Sequence, residues 1–229
     1  MQRHTKHKIA LATLLQIVYK KSKNDLIFKW WTSMMFFLGL DRFSVDLDFE
    51  YIGNDKENLY KELEKSIIAW WFQIKESYIK SNTIFFLVGY WLERSLKIEI
   101  STRNFIACEH NEYTFYWEKI PVIDRETQVS FKIVALATRN KSRDIYDTNF
   151  FIEKSIFPDP QKVEELFRNI TWKKKSYKEI LKICIKNIEK DMNEKNIMIG
   201  LGELLDDKKR TQTKESLKNQ ILIKLNSLM

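Results

Sequence analysis

Apolar positions recur along this chain with two periods, and the change from one to the other divides it. Near the start, Ile9, Leu11, Leu14, Leu15, Val18 and Tyr19 repeat at helical spacing. "DLIF" then reads as a short strand, and "TSMMFFLGL" as a short apolar helix. "FSVDLDFEYI" alternates strictly: Phe43, Val45, Leu47 and Phe49 point one way, and Ser44, Asp46, Asp48 and Glu50 the other. That predicts a strand with one buried face. "DKENLYKELEKSIIA" returns to helix, and "FQIKESYI" and "TIFFLVGY" read as strands joined by "KSN". "RSLKIEIST" alternates again, with Leu96, Ile98 and Ile100 opposite Lys97 and Glu99. "EKIPVID" reads as an edge strand, because Pro121 has no N–H to give to a ladder.

From about residue 125 the period is helical. "ETQVSFKIVALATR" predicts one helix, "NKS" breaks it, and Ser142 is placed to cap a second, "RDIYDTNFFIEKS". Pro158 and Pro160 end that unit. "QKVEELFRNI", "SYKEILKICIKNIEKDM" and the stretch to Met229 are helical and lysine-rich. The pattern therefore predicts an α+β protein: a mixed sheet with helices over residues 1–124, then a helical region over residues 125–229.

Composition narrows the class. The 229 residues are 44% hydrophobic and 31% charged, which suits a folded globular protein. No apolar run reaches the length of a membrane span, and no membrane role is expected. "MQRHTKHK" followed by "IALATLLQIVY" resembles a secretory signal, but "KKSKND" follows with no small-residue cleavage site. An amphipathic first helix is the better reading. Cys108 and Cys184 are too few for a disulfide framework. His4, His7 and His110 are too scattered for a zinc site, and the two near the terminus are expected in solvent. A reducing cytoplasm is the natural compartment. The net charge of +8 suits a polyanionic partner such as RNA or nucleotide phosphates, although many lysine-rich proteins bind neither.

The candidate chemistry lies in "SVDLDF". On a strand, i and i+2 share a face, so Asp46 and Asp48 can point at one spot. Two carboxylates that close repel unless a cation sits between them. Mg²⁺, held by carboxylates and substrate phosphates, is a common reason for such a pair. Glu99, on another alternating strand, would add a third oxygen if the two strands are neighbours. An exposed acidic edge strand would show the same Asp-x-Asp pattern.

"GLDRFSVDLDFEYI" resembles the Arg-Phe-Ser-x-Asp-Leu-Asp-Phe signature of the AbiEii/AbiGii toxin family of nucleotidyltransferases. Further on, "FKIVALATRNKSRDIYDTNFF" resembles the family's later segments, with Lys132, Arg139, Arg143, Asp144, Tyr146 and Asp147 in matching order. The likeness covers roughly residues 25 to 155. It implies a nucleotidyltransferase fold, and transfer of a nucleoside monophosphate from NTP to an acceptor. It also implies a cognate AbiEi-like antitoxin. Some relatives, the MenT-like toxins, act on the 3′ end of tRNA, which makes tRNA the favoured acceptor. By resemblance, Asp46 and Asp48 are catalytic and hold Mg²⁺, and Thr32 and Ser44 touch phosphate oxygens. Lys132 neutralises the triphosphate, and Asp144 is either catalytic or positions Lys132. Two rivals remain: a transferase of the same fold with a protein or small-molecule acceptor, and a non-catalytic RNA- or antitoxin-binding relative.

One departure is plain. Relatives have Gly-Gly-Thr where this chain has Trp30, Trp31 and Thr32, at the segment that should bind the nucleotide. Glycines there let the backbone approach a triphosphate and offer it N–H groups, whereas two indoles fill that space. Trp70 and Trp71 end a helix and Trp91 stands at a turn, which are glycine places too. Glycine numbers 5 in the chain and tryptophan 7, against a usual glycine share of ~7%. Some bacterial lineages read UGA as glycine, and these tryptophans are then expected to be glycines in the organism; the alternatives are real tryptophans, used as core or as a stacking platform for bases, and a degenerate, inactive relative.

Overall fold

The computed structural model describes residues 2–22, 25–90, 94–103, 109–193 and 195–229, the side chains of residues 2–4 excepted. Trp91, Cys108 and the side chain of His4 lie outside these. The chain divides into two compact units, Met1–Asp124 and Arg125–Met229, each with its own core.

The first unit opens with α1 (Gln2–Ser22), β1 (Leu26–Lys29) and α2 (Trp30–Phe37). It continues through β2 (Asp46–Tyr51), α3 (Lys56–Ala69), β3 (Gln73–Lys80), β4 (Thr83–Tyr90) and β5 (Arg94–Ser101) to β6 (His110–Phe115) and β7 (Glu118–Ile123). The strands form one seven-stranded mixed sheet in the order β3-β4-β5-β2-β1-β7-β6. β2 runs parallel to β5, and β1 parallel to β7; the other pairs are antiparallel.

Alternation decides which face is covered. Leu47 and Phe49 of β2, Phe28 of β1, Phe86 of β4 and Ile98 of β5 are fully buried on one face. Leu11, Leu14, Leu15 and Val18 of α1 and Leu63 and Ile67 of α3 pack into the same cluster, with Phe36 and Phe37 of α2 at its edge. Phe28 stacks on Phe49 at 5.0 Å between ring centroids. Each such side chain contributes about 1.5–3 kcal/mol by burial. The opposite face of β2 is left to Asp46, Asp48 and Glu50.

Two expectations need correction in this unit, and one strand carried no sequence signal. β7 is not an edge strand: it lies between β1 and β6, and β6 is the edge. Pro121 is tolerated because β1 meets β7 in register only at Phe28↔Val122. β6, "HNEYTF", gave no strand signal because its side chains are mostly polar and exposed; the two-residue turn Tyr116–Trp117 folds it onto β7. His7 is not in solvent but buried, with Nε2 donating to the Ser44 carbonyl at 3.1 Å and Nδ1 hydrogen-bonded to the Tyr90 hydroxyl.

The second unit holds α4 (Arg125–Thr138), α5 (Ser142–Glu153), α6 (Pro160–Thr171), α7 (Tyr177–Asp191) and α8 (Asp207–Ser227). α4 packs against α5, α6 and α7, and α8 lies against α5 and α7. Val129, Ile133, Phe151, Val163, Ile180, Leu181 and Ile221 fill its core. Pro160 starts a helix rather than ending one: Asp159 caps α6 by accepting from the N–H groups of Gln161 and Lys162, and proline occupies the first turn. Ser176 and Glu179 form a reciprocal capping box at α7. Ser142 does not cap α5. Lys141 holds the cap position without a side-chain bond, and the buried Ser142 hydroxyl donates to the Asn196 carbonyl at 3.4 Å.

Candidate active site

β2 brings its acids into one row. Asp48 pairs in register with Lys29 on β1 and with Glu99 on β5, while Asp46 pairs with Lys97. Directly opposed residues share a face at close Cβ spacing, so Asp48 stands between a cation and a second carboxylate. Glu99 does lie on the neighbouring strand, with its side chain exposed. Glu50, the third acid of the row, is buried and paired with Lys29 (Oε2 to Nζ 2.6 Å), and accepts from the Ser101 hydroxyl at 3.2 Å. Lys29 and Glu50 escaped the sequence reading. Glu50 had a signal, its i+2 spacing from Asp48; Lys29 had none until the register of β1 on β2 was known.

The turn from β1 into α2 and the approach to β2 are pinned to one another. Thr32 is fully buried; its hydroxyl donates to the Asp46 carbonyl and lies 2.7 Å from the buried Ser44 hydroxyl. Ser33 donates to the Trp30 carbonyl at 2.7 Å. Thr32 and Ser44 thus fix the backbone that presents Asp46. Trp30, the first residue of α2, has φ 63°, in the left-handed region. Trp31 lies under the Arg42 guanidinium, 4.9 Å from the ring centroid.

A second cluster lies within the helical unit. The Lys132 ammonium sits 3.5 Å from Asp144 and 3.2 Å from Asp147, with all three side chains buried. Arg139 grips Asp144 with two hydrogen bonds of 2.8 and 3.0 Å. Burial works to lower the Arg139 pKa, but the Asp144 hydrogen bond and charge outweigh it and the pKa is raised. Asp147 and Arg139 belong to this cluster as much as Lys132 and Asp144. Their sequence signal was the spacing 132, 139, 144, 147, which places them near the α4–α5 connection.

Among the described residues, no group of three or more His, Cys, Asp or Glu side chains stands close enough to form a metal cage. Asp46 and Asp48 still suit Mg²⁺, which is bound through one or two carboxylates and takes its remaining oxygens from water and substrate phosphates.

Comparison with solved structures identifies this architecture as a nucleotidyltransferase fold. JHP933 from Helicobacter pylori superposes with a TM-score of 0.58 at 18% identity, covering 100% of this chain and 95% of its own. The nucleotidyltransferase toxin MenT4 from Mycobacterium tuberculosis superposes with a TM-score of 0.61 at 17% identity, covering 95% of this chain and 82% of its own. No curated protein matches the sequence. The family model for the AbiEii nucleotidyl transferase toxin of type IV toxin–antitoxin systems matches residues 13–222. The chain belongs to that family: it is a nucleotidyltransferase toxin, with an NTP as substrate and an antitoxin as partner. Among the described residues, no helix is long and apolar enough to cross a membrane.

Proposed function

We propose that this protein transfers a nucleoside monophosphate from an NTP to an RNA acceptor in the cytoplasm, with the 3′ end of tRNA favoured and an AbiEi-like antitoxin as its control. The observation that carries this reading is the row on β2: Asp46 and Asp48 on one face, beside the β1–α2 turn, with Glu99 in register with Asp48. In this reading Asp46 and Asp48 hold Mg²⁺, and Glu99 contributes through its register. A divalent ion held by Asp46 and Asp48 would supply positive charge against the triphosphate and would lower the pKa of the acceptor hydroxyl. The hydroxyl oxygen bonds to the α-phosphorus as the bond from that phosphorus to the α–β bridging oxygen breaks, pyrophosphate leaves with that electron pair, and the hydroxyl proton passes to solvent.

Thr32 and Ser44 act by holding the Asp46 backbone rather than by touching phosphate, since both are buried against one another. Lys132, enclosed by Asp144 and Asp147 within the helical unit, acts by holding the α4–α5 junction rather than by touching the triphosphate. Asp144 takes the positioning role, because Lys132 and Arg139 both converge on it.

The test is incorporation of α-labelled NTPs into tRNA, with a Trp30→Gly/Trp31→Gly variant beside the wild-type chain. Adding Asp46→Ala to the active form is expected to cut labelling by at least about a hundredfold, the order lost with a single strong transition-state contact. Its circular dichroism should not change. Labelling that survives Asp46→Ala, or that appears on protein and not RNA, overturns the reading.

A further inference from the structure

A groove of about 680 Å³ opens on the outward side of α1, against the tip of the β6–β7 hairpin. Lys8 and Gln16 line it from the helix, and Phe36, Phe43, Phe115 and Tyr116 from the other side. Phe115 meets Phe36 edge-on at 5.2 Å and Tyr116 edge-on at 5.0 Å, so the rings form a continuous aromatic wall. Tyr116 is 61% exposed. Among the described residues no carboxylate lines the groove. The helix beside it carries Arg3, Lys6, Lys8, Lys20 and Lys21 and not one Asp or Glu.

Aromatic faces beside Lys8, on a helix that carries no carboxylate, match single-stranded nucleic acid. Bases stack on the rings because every base has a π-face, and phosphates run along the lysines. A duplex keeps its bases stacked inside and meets only the cations. An acidic peptide would meet the cations but would leave the ring wall without planar partners. One wall of the groove, Phe43, belongs to the segment that leads into β2. Phe43 directly precedes Ser44, and His7 on α1 donates to the Ser44 carbonyl at 3.1 Å.

We propose that this groove binds an unpaired segment of the acceptor RNA, with a base against the Tyr116 and Phe115 rings and phosphates along Lys8 and its neighbours on α1. This rests on the RNA-acceptor reading above. The groove selects single-stranded over paired segments.

The experiment is fluorescence anisotropy with a labelled single-stranded RNA of about 12 nucleotides and the same sequence as a duplex. The variant is Lys8→Glu/Tyr116→Gly. Tyr116 has φ 55°, so glycine removes the ring at a backbone position it favours and the hairpin keeps its turn. Wild-type protein should bind the single strand more tightly than the duplex. The variant should lose roughly 5- to 150-fold of single-strand affinity, the worth of one stacked base, while its NTP affinity stays unchanged. Unchanged single-strand affinity overturns the proposal. So does equal wild-type affinity for duplex and single strand, or a variant that loses only antitoxin binding. Nucleotide incorporation into RNA is measured separately. Incorporation with an indifferent variant sinks the groove alone. Groove-dependent binding with no incorporation into any RNA sinks the acceptor reading alone.

Discussion

Three tryptophans hold a backbone conformation that suits glycine. Trp30, Trp71 and Trp172 have φ of 63°, 65° and 59°. A side chain with a Cβ pays about 1–2 kcal/mol for the left-handed region. Trp71 closes α3 with the two reverse bonds of a glycine-type helix end, its N–H to the Ile68 carbonyl and that of Phe72 to the Ile67 carbonyl. Trp172 ends α6 in the same region. Their side chains are 98% and 91% exposed, so burial does not offset the strain. We expect Trp71→Gly and Trp172→Gly each to raise stability by about 1 kcal/mol, read from the urea midpoint. Trp117→Gly, at an exposed position without positive φ, should give no such gain. Equal responses at all three would remove the conformational argument. The coding DNA is a second check: TGA is expected at residues 30, 71 and 172 on conformation, and at 31 on the family pattern. The structure thus shifts the glycine reading, adding Trp172 and leaving Trp70, φ −94°, without conformational support.

At the scale of elements, α4 and α5 are joined through a charge cluster as well as through apolar packing. Lys132 is 1% exposed and faces Asp144 and Asp147, which are equally buried. Removing one partner of such a cluster leaves uncompensated charge in a low-dielectric interior. Lys132→Met is therefore expected to destabilise the protein by about 3–5 kcal/mol, measured by chemical unfolding followed at the helix signal. Arg139→Ala, whose side chain is about half exposed, should cost about 1 kcal/mol or less. A Lys132→Met protein as stable as wild type would show that the cluster is not structural. Loss of activity in any Lys132 variant must accordingly be read beside its stability. The same scale explains what the hydrophobic pattern missed. β6 has little apolar alternation and exists because β7 offers it a ladder, and β7 became interior only once β6 had paired with it.

For the whole molecule, the net charge of +8 matters through its distribution. α1 carries cations without acids, whereas β2 gathers three acids on one strand face. RNA binding should therefore weaken steeply with salt, each neutralised phosphate of a single strand adding about 0.7 to the log–log slope. Lys8→Glu alone should flatten that slope by about one contact, a result that anisotropy titrations between low and physiological salt would give. An unchanged slope would place the phosphates elsewhere.

What the sequence determined by itself was set by local periodicity and spacing. Period two placed Asp46 and Asp48 on one face of a strand, period 3.6 placed the helices beyond residue 125, and motif spacing marked Lys132 and Asp144. These depend only on neighbours a few residues away. What the tertiary structure decided were pairings between distant segments: Lys29 and Glu99 either side of Asp48, Glu50 held by Lys29, Asp147 beside Lys132, and His7 under Ser44. Strand order and register are not encoded in any one segment's pattern. They follow from how strands and helices share buried surface, and only then do charges far apart in the chain meet.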